Sequence, residues 1–311
     1  MRAPILISVT AFFALASCSS DEAAGVDTSP SPTTATIVPS TPAPTSTSTP
    51  GATSTSSTAT TSTTSSTTST STTSTTSTST TTIPPIPAVP GALDLASDFV
   101  GLGFSAEGRP IFANRHGTPG GRRVLVIGVI HGDEDDGLAI VNNLSTQPVP
   151  DGVELWLVES MNPDGQANLD RHNGNSVDLN RNFPYKWGPI GEPGNGQYAG
   201  TGPASEPETQ AIVNLISQLQ PDIAIWYHQD LFVVNPASGR EGRVRARYAE
   251  LAGLPMGQIT GGTYTGIAAT WARNELSGND GVAFIVELGS TLSPTEAATH
   301  ADAVRTIAVE G

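Results

Sequence analysis

Short polar signals in this 311-residue chain, three of them directly after apolar runs, have the side-chain types that hold a metal and a hydrolytic water. His131-Gly132-Asp133-Glu134 follows the apolar stretch 123–130, and Asp178-Leu179-Asn180-Arg181-Asn182 comes later. His228 closes the stretch 222–227, and Glu287 closes 282–286. Zinc takes nitrogen and oxygen donors, and a catalytic site uses three protein ligands with one position left for water. His131 and Glu134 are spaced i, i+3, so a tight turn after the strand brings an imidazole and a carboxylate to one point. His228, from a distant strand, is the expected third ligand, for one Zn2+ per chain. Bound zinc lowers the pKa of its water toward 7. A general base must then take the proton and pass it to the leaving amine, and Glu287, isolated ahead of Gly289, is the candidate. Each signal alone has a plain alternative: a solvated acidic helix cap for the His-x-x-Glu pair, and a strand-end carboxylate in water for Glu287. Their order and shared placement favour the metal.

The elements that must position these side chains are legible as apolar runs. Residues 123–130, 153–158, 222–227 and 282–286 read as short buried strands. Helices are expected from the acidic residues at 133 to residue 144, from Ser205-Glu206-Pro207-Glu208 (read as a capping box) through 220, over 241–251, and from Ser293-Pro294-Thr295-Glu296 to 309. Asn162-Pro163-Asp164-Gly165 reads as a turn. Strands apolar on both faces that alternate with helices imply an α/β fold: a mixed, mostly parallel twisted sheet with helices on both faces. Ligands bind such sheets outside the carboxyl ends of the strands, where His131, His228 and Glu287 all fall.

Composition bounds the rest. Residues 52–82 are only Ala, Ser and Thr, and the wider stretch to residue 90 adds mainly Pro, too little apolar surface to offset the entropy of ordering. Three segments are expected: a lipoprotein signal peptide at 1–17, a lipid-anchored Ser/Thr/Pro-rich disordered tether at 18–90, and a folded catalytic domain at 91–311. Arg2 and the apolar stretch 5–15 form the signal, and Leu15-Ala16-Ser17-Cys18 resembles a bacterial lipobox that places a diacylglyceryl group on Cys18; an ordinary secretory signal with a chance cysteine is the alternative. Cys18 is the only cysteine, so no internal disulfide is possible. The tether spans roughly 45 Å as a flexible coil, either as a bare spacer or as an O-glycosylated stalk. A net charge of −15 argues against nucleic acid and against electrostatic attachment to anionic membrane, which leaves the N-terminal lipid as the only membrane contact. The expected location is the outer face of a bacterial cell envelope, and the expected state is a monomer.

Taken together, the motifs resemble the M14 family of zinc carboxypeptidases, and within it the bacterial murein peptide amidases. The resemblance covers about residues 95–305 and rests on His131-x-x-Glu134, Asn162-Pro163-Asp164-Gly165, Arg171, the block Val177 to Pro184, Ser205-Glu206-Pro207-Glu208-Thr209, His228 and Glu287. It implies zinc on His131, Glu134 and His228, with Glu287 as general acid/base. Asn180 and Arg181 would grip a substrate carboxylate, a task suited to the guanidinium fork. Arg171 would polarise the scissile carbonyl and stabilise its oxyanion, and Asp178 would orient His131. Tyr264 stands near, though not clearly at, the position of a tyrosine that family members often carry on a loop over the substrate; packing within its loop is the alternative. The loop position that tunes side-chain specificity is small and apolar around Ala268 and Ala269 and carries no charge signature. His116, His172 and His300 read as structural or surface residues.

The expected activity is therefore hydrolysis of an amide next to a carboxylate-bearing residue, in cell-wall stem peptides of the γ-D-glutamyl-diaminopimelate kind. A broad extracellular carboxypeptidase and a non-catalytic, zinc-dependent wall-binding module are the alternatives. A serine hydrolase is disfavoured because no G-x-S-x-G elbow occurs.

Overall fold

The computed structural model describes residues 91–260 and 263–311; the expected signal peptide, Cys18 and the Ser/Thr/Pro-rich stretch lie outside the described residues. Strands β1 (Phe99–Phe104), β2 (Pro110–Gly117), β3 (Arg122–Val129), β4 (Val153–Ser160), β5 (Ile223–Gln229), β6 (Val233–Val234) and β7 (Val282–Leu288) form one sheet in the order β1-β2-β4-β3-β5-β7-β6. The four central strands β4, β3, β5 and β7 are parallel. β1 and β2 add antiparallel at one edge, and β6 at the other.

The central strands follow from the apolar runs. Parallel strands are covered on both faces, so residues of both parities must be apolar. Every residue from Val124 to Val129 is buried, as is every residue from Val153 to Val158. Leu125, Ile127, Trp156 and Trp226 pack toward α3 (Pro207–Leu219) and α5 (Ala268–Glu275). Val124, Val126, Ile225, Tyr227 and Phe284 pack toward α1 (Gly137–Thr146), α4 (Gly239–Ala252) and α6 (Pro294–Glu310). β4 lies on one side of β3 and β5 on the other. The strand order therefore reverses at β3, and a crevice opens between the carboxyl ends of β3 and β5, where open α/β sheets bind ligands.

Several local expectations need correction. α1 starts at Gly137, not at residue 133. The acidic residues before it form a loop: the backbone N–H of Asp136 donates to Gln229 Oε1, and Gln229 Nε2 donates to Asp136 Oδ2. Ser205-Glu206-Pro207-Glu208 precedes a helix as expected but forms no capping box. Its two carboxylates instead accept from the Asn173 side chain, at 2.8 and 2.9 Å, which ties α3 to the loop after α2 (Pro163–Asn168). A capping box forms instead at Ser293 and Glu296, which head the expected last helix. Asn162-Pro163-Asp164-Gly165 is not a free turn but the start of α2, with Asn162 Oδ1 accepting from Gly165 N–H at 3.0 Å. Ala268 and Ala269 are not on a loop; they open α5 and are buried.

Candidate metal centre and its cleft

Past the end of β3 the chain turns sharply, and Glu134 N–H donates to the His131 carbonyl at 3.1 Å. The turn packs against the start of α2. Gly132 N–H donates to the Asp170 carbonyl at 2.9 Å, and any side chain at 132 would run into the Gly165 backbone, so this close approach requires glycine. The Asn162 side-chain amide donates to the Ile130 carbonyl at 3.0 Å and fixes the same corner from below. Across the crevice β5 and β7 run in register, with His228 opposite Glu287.

These elements bring three donors to one point. His131 Nδ1 lies 2.9 Å from Glu134 Oε1, and His228 Nδ1 lies 2.9 Å from Glu134 Oε2. One donor atom from each of the three residues falls within 4.8 Å of the others. His131 Nε2 is 3.0 Å from Asp178 Oδ1, so the carboxylate accepts from Nε2–H and turns Nδ1 toward Glu134. Two imidazole nitrogens and a carboxylate oxygen within reach of one point, with the His131 ring oriented by Asp178 behind it, fit zinc. His131, Glu134 and His228 would hold the ion, which when bound would polarise a substrate carbonyl and acidify its water.

Asp178 organises the surroundings. It is fully buried, caps the 3-10 turn Leu179–Arg181 by accepting from Asn180 N–H at 2.9 Å, and accepts from Arg171 Nε and Nη2 at 3.1 and 2.9 Å. Arg171 Nη1 donates to Glu134 Oε1 at 2.9 Å and lies 3.1 Å from His131 Nδ1. Burial works against charge on all these groups, yet mutual pairing wins for most of them. His131 is held above its usual pKa by Asp178 and Glu134, while Glu134 and Asp178 are held far below the usual carboxylate range by the histidines and, for Asp178, the arginines. His228 is the exception: burial outweighs Glu134 and lowers its pKa, which favours the neutral ring a metal needs. Glu287 is half-buried on the same cleft, and burial together with repulsion from Glu134 raises it to about 7.

The cleft holds about 380 Å³ and continues from the three donors past Asn180 and Arg181. Asn180 Oδ1 accepts from Ala268 N–H at 3.0 Å, and its amide nitrogen sits 3.4 Å from His228 Nε2. Arg181 is buried; its Nη1 donates to the Asn180 carbonyl at 2.9 Å, and its Nε has no partner. The loop carrying Tyr264 is stitched to this segment at Gly266. Its carbonyl accepts from Phe183 N–H at 2.9 Å, and its φ of +56° with the Arg181 carbonyl against it excludes a side chain. The Tyr264 ring is exposed, with Arg181 Cζ 5.4 Å from its centroid.

The structure thus gathers His131, Glu134, Arg171, Asn180, Arg181, His228, Tyr264 and Glu287 around one cleft, with Asp178 beneath it. His116 lies in β2 and His300 in α6, away from the cleft, and His172 bonds Asp170. Sequence reasoning missed Gln229, whose backbone N–H donates to Glu134 Oε2 at 3.1 Å while its side chain holds the loop at Asp136. Its place directly after His228 was the available signal. It also missed Arg245 and Arg273, which line the far end of the cleft and bring charge to it from positions other than Ala268 and Ala269. A helical arginine carries no mark in sequence that it faces inward.

The zinc carboxypeptidase family matches residues 96–238, a stretch that includes the three donors, Asp178 and Arg181. Murein peptide amidase A of Escherichia coli K12 is 30% identical over 162 residues, 48% of this chain and 66% of that relative's length, just under two thirds of it. Mouse carboxypeptidase D is 31% identical over 161 residues, 43% of this chain but 11% of that protein. Among solved structures, the murein-tripeptide amidase of Escherichia coli O157 superposes with a TM-score of 0.53 at 25% identity, over 67% of this chain and 92% of that one. Carboxypeptidase A of Helicoverpa armigera gives 0.60 at 18% identity, a likeness of fold, over 68% and 67%. The family match ends before β7, whereas the structural likeness takes in two thirds of the chain. Sequence and fold agree in likeness: both are similar to the M14 family of zinc carboxypeptidases.

Proposed function

We propose that this chain is a zinc-dependent metallopeptidase that hydrolyses the amide next to a carboxylate-bearing residue in cell-wall stem peptides of the γ-D-glutamyl-diaminopimelate kind. The observation that carries the reading is one cleft that holds a three-donor metal centre, a carboxyl group poised near neutrality and a buried arginine with an unpartnered Nε. Arg181 and Asn180 hold the substrate carboxylate and so set the distance to the scissile bond. Arg171, with its guanidinium beside the donors, faces the carbonyl oxygen as charge develops on it. Glu287 takes a proton from the attacking water and delivers it to the leaving nitrogen, a task matched by a pKa of about 7.

The stem-peptide assignment draws on the names of two similar proteins, murein peptide amidase A and murein-tripeptide amidase. The likeness to carboxypeptidase D supports a second reading, a broad carboxypeptidase on ordinary peptides. Export, lipid attachment at Cys18 and a Ser/Thr/Pro tether ahead of a catalytic domain at 91–311 belong to the proposal and rest on the sequence. Incubation of the zinc-loaded chain with purified muropeptides and with ordinary L-peptides, with products read by mass, tests the assignment. Release of diaminopimelate-containing product from muropeptides supports the first reading. Cleavage of L-peptides alone supports the second, and binding to wall fragments without release of any amine would leave only a wall-binding module.

A further inference from the structure

The far end of the cleft is basic, and nothing in the proposed catalytic steps uses it. Arg245 on α4 and Arg273 on α5 both line it. Both donate to the Ala283 carbonyl at 3.3 Å, and both reach the one carboxylate of Glu241, Arg273 at 3.4 Å. Two guanidiniums therefore share one counter-charge, and a unit of positive charge is left facing the cavity. Arg245 is 4% exposed and its Nε has no partner. The Arg273 side chain is 34% exposed; its Nη2 donates to Thr270 Oγ1 at 2.9 Å, and Thr270 lines the same cavity.

The position relative to the reaction centre follows from β7. Residues 287, 285 and 283 alternate onto one face, so Ala283 lies about 13 Å from Glu287 along the strand. Ile285 lines the cleft between them, with Ile267 and Ala269 also in its wall. A substrate whose main carboxylate sits on Arg181 would thus send a side chain over an apolar stretch and end it at Arg273. Such a pocket repels an ammonium terminus, leaves an apolar terminus against unsatisfied charge, and accepts a carboxylate.

Resting on the proposed hydrolase reading, we infer that Arg273, backed by Arg245, selects substrates in which the residue on the leaving side carries a second carboxylate at the end of its side chain. A di-acid of this kind explains why the cavity carries two separate cationic ends, Arg181 and the Arg245–Arg273 pair. The plain alternative is that the two arginines only cover the carbonyl edge of β7, since β6 pairs with Val286 and Glu287 and leaves Ala283 free of a strand partner on that side.

The test uses the zinc-loaded full chain and peptides identical except for a leaving residue of glutamate, glutamine or lysine. Glutamate over glutamine in kcat/KM by about 10- to 100-fold is expected, carried mainly by KM. Arg273→Met should collapse that ratio to near one, Arg273→Lys should keep part of it, and Arg273→Glu should turn the preference toward lysine. A wild-type ratio near one, or an Arg273→Met variant that loses both substrates equally, overturns the inference. If no peptide is hydrolysed, calorimetric binding of the glutamate- and glutamine-ended peptides to the same chain decides. Tighter binding of the glutamate peptide that disappears in Arg273→Met sustains the pocket while the hydrolase reading fails; equal binding ends both.

Discussion

Tyr227 and His228 are neighbours in β5, yet they enter opposite faces of the sheet and two unlike hydrogen-bond networks. Tyr227 Oη meets Tyr248 Oη at 2.9 Å, and Tyr248 Oη meets His300 Nδ1 at 2.7 Å, inside the apolar layer of α4 and α6. His228 meets Glu134, beside His131, Arg171 and Asp178. Both faces bury histidine. On the first face burial outweighs the pull of Glu296, and His300 is lowered to about 4. On the second, carboxylates and arginines keep charge in place, and His131 is raised. One network is a neutral relay that helps fix α6 against α4. The other concentrates charge at strand ends, where a cation and a substrate can use it. Burial of a histidine is therefore uninformative without its partners.

This contrast can be broken by substitution. The largest expected effect is Glu287→Gln, which should lower kcat by about 10²- to 10⁴-fold with zinc stoichiometry unchanged, as read by steady-state kinetics and metal analysis. Full turnover in that variant would remove Glu287 from the chemistry. On the other face, stability rather than turnover should respond, and to pH. His300 takes up a proton in the unfolded chain near its ordinary 6.5 but in the folded chain only near 4. Its contribution is therefore intact above pH 6.5 and is lost as pH falls from 6.5 to 4, by about 3 kcal/mol in all. Urea unfolding across that window should show the loss, and His300→Phe should flatten this part of the profile without altering kcat near neutrality.

Asp178→Asn keeps the shape but weakens the hold on His131, and should cost about 10- to 100-fold in zinc affinity or turnover. Competition with a chelator reads it, and an unchanged affinity together with unchanged turnover would show that His131 needs no such partner. The smallest effect is expected at Tyr264, exposed at the mouth of the cleft. Tyr264→Phe keeps the ring against Arg181 and should change kcat/KM by less than about threefold if its role is stacking alone. A larger fall would assign the hydroxyl a part in catalysis.

How much of this could be read from the chain depends on what forces each residue. The residue types proposed for metal holding and proton transfer, His131, Glu134, His228 and Glu287, stand at or just past apolar runs in the sequence, and the fold brings them to one cleft. β3, β4, β5 and β7 were legible because strands covered on both faces must be apolar throughout. The antiparallel edge was missed because β1 and β2 bury only alternate residues and carry glycine, proline and asparagine among the residues of the open face. The start of α1 was misplaced because acidic residues near a helix start usually serve its dipole; here Glu134 and Asp136 serve the site and its loop instead. Arg245 and Arg273 were invisible because only the packing of α4 and α5 onto β7 turns them inward.

The most direct test titrates zinc into metal-depleted protein while following amine release from a γ-D-glutamyl-diaminopimelate peptide. Activity should rise in proportion to added zinc, level off at one equivalent per chain, and be absent at every zinc level in His228→Ala. Hydrolysis that ignores zinc, or that survives intact in His228→Ala, would contradict the assignment of the His131, Glu134 and His228 donors as the centre of the chemistry.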